Sequence, residues 1–320
     1  MSIVATEVVT EFGAQYIKGS QTQKDIYQQI YRPAETAAGF TEQPTQDTVL
    51  RKSSSALTRI LQPFQKAFTP IGTLTFKPVA IPLFKMKVDI SEYPDDLEAT
   101  WLGFLAGEGI DRKAWPFWKW FIMKHVLPQA ERDREVNEIF DGVADAPVPG
   151  TAGAAGTSMD GINTVRKTLI DAGRISPIVT GAFPTDAVDF CTFIEEFVAN
   201  FDKDVRKQVM ELEMNEDAAL LYKQGKRQKY NINYAQADNL MNVEDFTNVT
   251  IVGRQSFGNS EVLLATPKWN KLRAIKRSSI DKMFTLESVD RNVKLFADWW
   301  EAYGWALPEW VQTNDIDTEL

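Results

Sequence analysis

The chain has one cysteine, Cys191, and one histidine, His125, in 320 residues. A single thiol excludes an intrachain disulfide and fits a reducing compartment. One His and one Cys cannot supply a His/Cys zinc cluster. No apolar run reaches the roughly 20 residues of a membrane span, so no membrane contact is expected. The opening MSIVATEVVTEFG lacks the basic start and apolar block of a secretory signal. Basic excess is missing too: 35 Lys and Arg face 44 Asp and Glu, for a formal charge of −9. Proteins that wrap nucleic acid show the opposite balance, although an acidic average can hide a basic patch. There is no internal repeat. Gly150–Gly156 is not followed by Gly-Lys-Ser/Thr, so it is no P-loop. Gly156-Thr-Ser158-Met-Asp lacks the closing glycine of a nucleophile elbow.

What is present is apolar and aromatic. Hydrophobic residues make up 44% and charged residues 25%, enough apolar material to build the core of one large domain or two. Nine tryptophans and nineteen phenylalanines include several in irregular stretches, where large aromatics mark interfaces.

The stretch Trp115 to Phe140 reads as a long helix. Pro116 suits its first turn. Phe117, Trp120, Phe121, Lys124 and Leu127 recur three and four apart. Pro128 should kink it or split it in two. Its 26 residues would span roughly 39 Å at about 1.5 Å each, long enough to carry other elements. Residues 1–56 read as an extended arm, glutamine-rich but too aromatic (Phe12, Tyr16, Tyr27, Tyr31, Phe40) for a typical disordered tail. Residues 57–90 read as a β-hairpin with arms Leu61–Pro70 and Thr73–Ile90 and a turn at Ile71-Gly72. Pro63, Pro70, Pro78 and Pro82 confine it to an edge or a projecting flap, and such a ribbon needs something to lie on. A short helix is expected over Asp95–Leu105, a surface loop over Asp141–Ser158, and a helix over Met159–Ala172. Another helix, capped by Thr185 or Asp186, covers 185–201. A half-buried strand follows at Val209–Met214, then a short helix capped by Asn215, running Glu216 to Lys223. Strands at Asn248–Val252, Val262–Ala265 and Leu272–Ile275 complete an α/β unit of 142–275, and the tail returns to β-like sequence.

Chemistry is harder to find. Cys191 and His125 read as structural. Asp95, Asp96, Glu131, Asp133, Glu135 and Glu138 are candidates for acid–base work or a magnesium site, but a solvated helix face is the simpler reading. Lys223–Lys229 and Lys268–Arg277 are candidates for phosphate contacts, with solvated loops or salt bridges to a neighbouring acidic subunit preferred.

The order of segments carries the strongest signal. A ribbon leads into Tyr93-Pro-Asp-Asp-Leu97 and Trp101-Leu-Gly-Phe104, then the long helix ending Ile139-Phe-Asp-Gly142. Tyr222-Lys-Gln-Gly225, Asn248-Val-Thr-Ile-Val252 and Val262-Leu-Leu-Ala-Thr-Pro267 follow. Across residues 50–312 this resembles the major capsid protein of tailed double-stranded DNA phages, the α+β Hong Kong 97-type fold, most of all those of phages of Bacteroidetes hosts. The resemblance implies an N-terminal arm at 1–56 and an E-loop hairpin at 57–90 lying across a neighbouring subunit. It implies a peripheral domain from 91–141 and 276–320, with a spine helix carrying Trp115, Trp118, Phe121, Glu131 and Arg134, and an axial domain at 142–275. Phe64, Phe68, Phe76 and Phe84 of the ribbon, with Tyr16, Tyr27 and Tyr31 of the arm, would make intersubunit contacts. Lys66, Lys77, Lys85 and Lys87 lie on the ribbon, but none is singled out for the lysine–asparagine crosslink some relatives form. The implied partners are copies of the chain itself in pentamers and hexamers, scaffold, portal and decoration proteins, and packaged DNA held without sequence preference. No catalytic residue, metal or cofactor is implied, and the location would be a virion assembled in a bacterial cytoplasm. The start at Met1 directly on the arm favours a separate scaffold over a cleaved one. Three other readings stay open: an encapsulin-like compartment of the same fold, a soluble α/β enzyme using carboxylates and a metal, and another virion part such as a decoration or tail protein.

Overall fold

Met210, Leu212 and Met214 alternate with Glu211 and Glu213 along strand β5 (Met210–Asn215). Successive strand side chains face opposite sides, so the sequence sets an apolar face against an acidic one. The computed structural model describes residues 34–92, 120–231, 240–277, 284–289 and 292–319. In it β5 is the middle strand of a five-stranded sheet, between β8 (Leu264–Thr266) and β7 (Phe246–Arg254). β12 (Gln312–Thr313) and β6 (Asn242–Val243) form the edges. β5 runs parallel to β7 and antiparallel to β8. The expected half-buried strand is therefore covered on both sides, because its carboxylates find cations on the second face.

The apolar face packs under two helices, α3 (Ala187–Ala199) and α4 (Glu216–Lys229). Phe190, Cys191, Ile194 and Phe197 of α3 meet Ala218, Ala219 and Tyr222 of α4 over Leu212 and Met214. Asp186 caps α3 by accepting from the Val188 and Asp189 amides. Asn215 caps α4 by accepting from the Ala218 amide at 2.6 Å. Glu216 and Asp217 open α4, and Lys226, Arg227 and Lys229 close it, matching the helix dipole at both ends. This helix runs past the expected Lys223. Its basic stretch is thus a helical turn, with Lys226 buried against the Asn242 carbonyl and Glu244.

Two chain units are distinguished, Met1–Ala34 with Lys85–Arg134 and Ser278–Trp299, and Glu35–Phe84 with Glu135–Arg277 and Trp300–Leu320. In the second, β1 (Thr41–Thr45) runs parallel to β9 (Lys271–Lys276), which pairs antiparallel with the Glu301–Trp305 end of β11 (Asn292–Trp305). β2 (Val49–Leu57) and β3 (Leu74–Pro82) form the ribbon, in register from Val49↔Pro82 to Leu57↔Leu74. The first arm of the hairpin is thus 49–57, not Leu61–Pro70, and the second ends at Pro82, beyond which β4 pairs elsewhere; β1 and β2 also take 41–56 out of the expected arm of 1–56. The Ser53-Ser54-Ser55 run hid β2, while Pro63 and Pro70 lack the donors a ladder needs and fall in the connecting loop 58–73. The ribbon root is buried: Val79 and Ile81 pack on Leu272, Ala274 and Ala302. Arg174, beyond α2 (Ile162–Asp171), donates to the Pro78 carbonyl and pairs with Glu309, which also meets Lys77 at 3.4 Å. In the first unit, β10 (Phe284–Val289) pairs antiparallel with the start of β11, and β4 (Phe84–Glu92) also pairs with β11.

The long helix is described from Trp120 on. It continues through Pro128: a π turn at Ile122–Val126 precedes α1 (Leu127–Asp133), and a second π turn follows at Arg134–Glu138. The Leu127 amide reaches the Ile122 carbonyl, five residues back, so the chain absorbs the proline by widening one turn rather than splitting the helix. The expected helix at Asp95–Leu105 lies outside the described residues.

At Gly225 an added Cβ would lie 1.8 Å from the Ala187 carbonyl oxygen. α3 and α4 approach this closely only because α4 has no side chain there. Alanine would gain about 1 kcal/mol of helix propensity and still force the helices apart. We expect Gly225→Ala to lower the urea midpoint, with a net loss of about 2 kcal/mol or more. An unchanged midpoint would show that the helices part without cost.

Candidate functional site

Two features stand out, a buried charge centre and an exposed loop tip, both in the second unit. The charge centre forms on the acidic face of β5. Arg254, ending β7, donates from Nε to Glu213 at 2.8 Å and from Nη2 to Glu211 at 3.3 Å. Lys271, opening β9, reaches Glu211 at 3.0 Å and Glu213 at 3.1 Å. Lys271 and Glu213 are fully buried. Arg254 also donates to the Glu35 carbonyl, and a Cβ on Gly39 would stand 2.8 Å from Arg254 Nη2. The chain at 35–39 thus closes over the centre. Beside it, Glu135 accepts from the Thr36 amide and hydroxyl, and the Thr36 hydroxyl lies 2.7 Å from that of Ser256. Glu138 accepts from the Gly156 and Ser158 amides at 2.8 and 3.0 Å, pinning the glycine-rich loop. The solvated-face reading therefore fails for Glu135 and Glu138, whose lone pairs are taken up by backbone donors. It fails equally for the basic stretch at Lys268–Arg277, whose Lys271 and Arg273 are paired within the chain.

Burial pulls the pKa of Glu211 upward, but Lys271 and Arg254 beside it outweigh that and hold it below the usual range. Burial also dominates at Arg166 of α2, lowering its pKa to about 10 against the pull of Asp317 and Asp141. Arg166 gathers Asn163, Thr313 and the carbonyls of Asn314, Ile316 and Asp317. Cys191 is pushed up to about 12 by burial and by Glu195, to which it donates. That leaves it a core residue rather than half of a Cys–His pair. His125 lies edge-on to Trp120, and burial lowers its pKa. Among the described residues no His, Cys, Asp and Glu side chains group in threes as a metal site, and no helix is long and apolar enough to cross a membrane.

The loop tip has the opposite character. Gln62 donates to the Thr69 carbonyl at 2.7 Å and accepts from its hydroxyl, while Thr58 and Thr73 bond across the neck. Gly72 turns the chain at φ +99°, a left-handed conformation that glycine adopts without strain. The tip is thereby shaped, yet Phe64 and Phe68 are each 92% exposed and Leu61 83%. Phe76 on β3 is also exposed, whereas Phe84 packs against the ribbon-root core with Trp300. Phe121 is buried, Glu131 is exposed and Arg134 half-buried. Tyr16, Tyr27, Tyr31, Trp115 and Trp118 lie outside the described residues. Sequence reasoning missed the charge centre. Its signal was two glutamates at period two inside an apolar strand, with single cations (Lys271, Arg254) at the ends of two others.

No family model matches the chain, and no curated protein matches it. Solved structures do. The capsid of Myoviridae phage XM1 superposes with a TM-score of 0.60 at 11% identity, covering 94% of this chain and 97% of that one. The capsid of a native GTA particle gives 0.59 at 12%, covering 96% and 97%. Mycobacterium phage Che8 gives 0.53 at 11%, covering 95% and 98%. The chain has the α+β fold of phage capsid proteins, matched nearly end to end, which is the Hong Kong 97-type fold that the segment order implied.

Lys271→Met leaves the buried Glu213 and the half-buried Glu211 without their shared ammonium. We expect about 3–5 kcal/mol of destabilisation at neutral pH, read by denaturant unfolding. The pH dependence should change as well. With a folded pKa below the unfolded value of about 4.3, Glu211 stabilises the wild type fully above that value and loses this as pH falls through the folded pKa. In Lys271→Met burial acts with less opposition, so the loss between about pH 5 and pH 3 should shrink. Equal acid slopes in the two proteins would refute the pairing.

Proposed function

We propose that the chain is the structural subunit of an icosahedral phage capsid, self-assembling into pentamers and hexamers around double-stranded DNA. The observation that carries this reading is the loop tip: a shaped segment presenting two phenylalanines at 92% exposure, on a chain with a capsid-protein fold. Large exposed apolar groups clustered on one projection mark an interaction site, and a shell supplies the partner. On this reading the ribbon and its tip are the E-loop and the helix through Pro128 is the spine. Residues 142–275 are the axial domain, joined by the tail from 300, whose β12 edges the β5 sheet; 91–141 and 276–299 are the peripheral domain, to which the whole of 276–320 was expected to belong, and the segment before β1 is an arm. Tyr16, Tyr27 and Tyr31 would add arm contacts. Scaffold, portal and decoration proteins, a virion location, assembly in bacterial cytoplasm and a Bacteroidetes host belong to the same proposal. Its resting support is the segment order and the fold. The chain's work is then mechanical, with catalysis assigned to none of its residues. The net charge of −9 favours an inner surface that does not grip DNA.

Electron microscopy of the purified chain, with size-exclusion chromatography, tests this. Closed shells or rings are expected. A monomer at all concentrations, with a scaffold protein supplied, would overturn the reading. The double variant Phe64→Ser/Phe68→Ser should unfold within about 0.5 kcal/mol of wild type, since both rings are exposed, while its particle yield collapses. Undiminished particle yield would remove the tip from the contact.

A further inference from the structure

A second concavity complements the loop tip. Val79 and Ile81 of β3, Val165 and Leu169 of α2, and Gly304 and Trp305 of β11 line a cavity of about 130 Å³ at the ribbon root. Gly304 keeps it open from behind, because a Cβ there would stand 2.8 Å from Ile81. Its walls are mainly apolar, and among the described residues that line it Asp160 alone is charged. An apolar cavity of roughly 150 Å³ accepts benzene, so this one is matched to a single phenyl ring. Thr168 of α2, exposed, stands at its rim.

We propose that this cavity receives a phenyl ring, Phe64 or Phe68, from the loop tip of a second copy of the chain. The proposal rests on the shell reading and specifies the seat of the contact. Three observations select the occupant. The tip offers two rings that the described residues leave uncovered. The tip is held in shape by Gln62 and Thr69 before any partner arrives, so little ordering entropy is lost on docking. The charges also complement: residues 58–73 carry Arg59 and Lys66 and no carboxylate, in a chain of net charge −9, and the cavity carries Asp160. Like surfaces of an acidic protein repel, and a basic tip entering an acid-rimmed apolar cavity does not.

The test uses full-length chain assembled into particles. Cysteines are placed at Ala67, beside the rings, and at Thr168, on the rim. Particles of Ala67→Cys/Thr168→Cys are treated with a short bismaleimide and run on a denaturing gel. Cys191 is fully buried and contributes no background. A ladder extending beyond dimer is expected from the double variant, and none beyond dimer from either single variant. Alongside, Thr168→Trp plugs the mouth from an exposed position, and its particle yield should fall about tenfold or more with the unfolding midpoint unchanged. Double-cysteine particles without the ladder, or Thr168→Trp particles at wild-type yield, overturn this seat while leaving the shell reading intact. Should Thr168→Trp misfold, the crosslink alone decides. Wild-type chain that never forms particles overturns the shell reading and the seat with it.

Discussion

Lys271 and Glu213 are buried side by side with no share of solvent, and the second unit is arranged to make that tolerable. Withdrawing an ion from water costs several kcal/mol, and a partner's attraction repays it only with good geometry and further hydrogen bonds. Here two cations face two carboxylates, and each strand contributes from a fixed position: β5 the acids, β7 the guanidinium at its end, β9 the ammonium at its start. The cluster is therefore a register device. A one-residue slip of β5 would turn Glu211 and Glu213 into the apolar space under α3 and α4 and bring methionines to the cations. The net stabilisation of such a cluster over a well-packed apolar one is small, but the cost of an incorrect pairing is large. Arg254 extends this specification to 35–39 by holding the Glu35 carbonyl.

The same logic explains what could be read in advance. α3 was legible because Ala187, Phe190, Cys191, Ile194, Phe197 and Val198 keep helical spacing and an aspartate stands at its cap. The Asn215 cap was legible because asparagine before a carboxylate pair is a local signal, carried by neighbours in sequence. β5 was legible as a strand, though its burial was not. Alternating glutamates normally mean solvent, and the partners that cancel that meaning, Arg254 and Lys271, lie 41 and 60 residues beyond their acids. The ribbon failed for a different reason. Three serines in β2 carry no hydrophobic period, and apolar residues around Pro63 and Pro70 imitate one. Glu135 and Glu138 were misread because their donors, the Thr36 and Gly156 amides, are backbone groups that leave no trace in composition. In the candidate contact surface, exposure of Phe64 and Phe68 followed from prolines that deny the loop a ladder. The role of Gly304 in opening the root cavity had no local sign.

The ribbon joins two energetic regimes in one element. Its root is fixed: Val79 and Ile81 are buried, and Arg174, Glu309 and Lys77 bind β3 to the turn at Pro308–Trp310. Its outer half is a two-stranded ladder with exposed side chains, and such a ladder is marginal alone in water. A buried root under a two-stranded outer half sets the direction in which the tip points. Pro78 and Pro82 suit this design. They sit where one side of the strand has no ladder to feed, and they deny further strands a row of donors along which to aggregate.

Tip-to-root docking would have a geometric consequence. The two surfaces differ, so the contact is heterologous, and each added copy leaves one tip and one root still open. Such contacts satisfy every surface only by closing into a ring, or else run on as a filament. An open row of copies exposes phenylalanines at one end and an empty apolar cavity at the other, and both deficits vanish together at closure. The last contact is intramolecular, with the high effective concentration that brings, so rings are favoured over partial arcs even when one tip binds one root weakly. A modest pairwise contact is then an advantage, since copies that join with the wrong angle can leave before the ring closes.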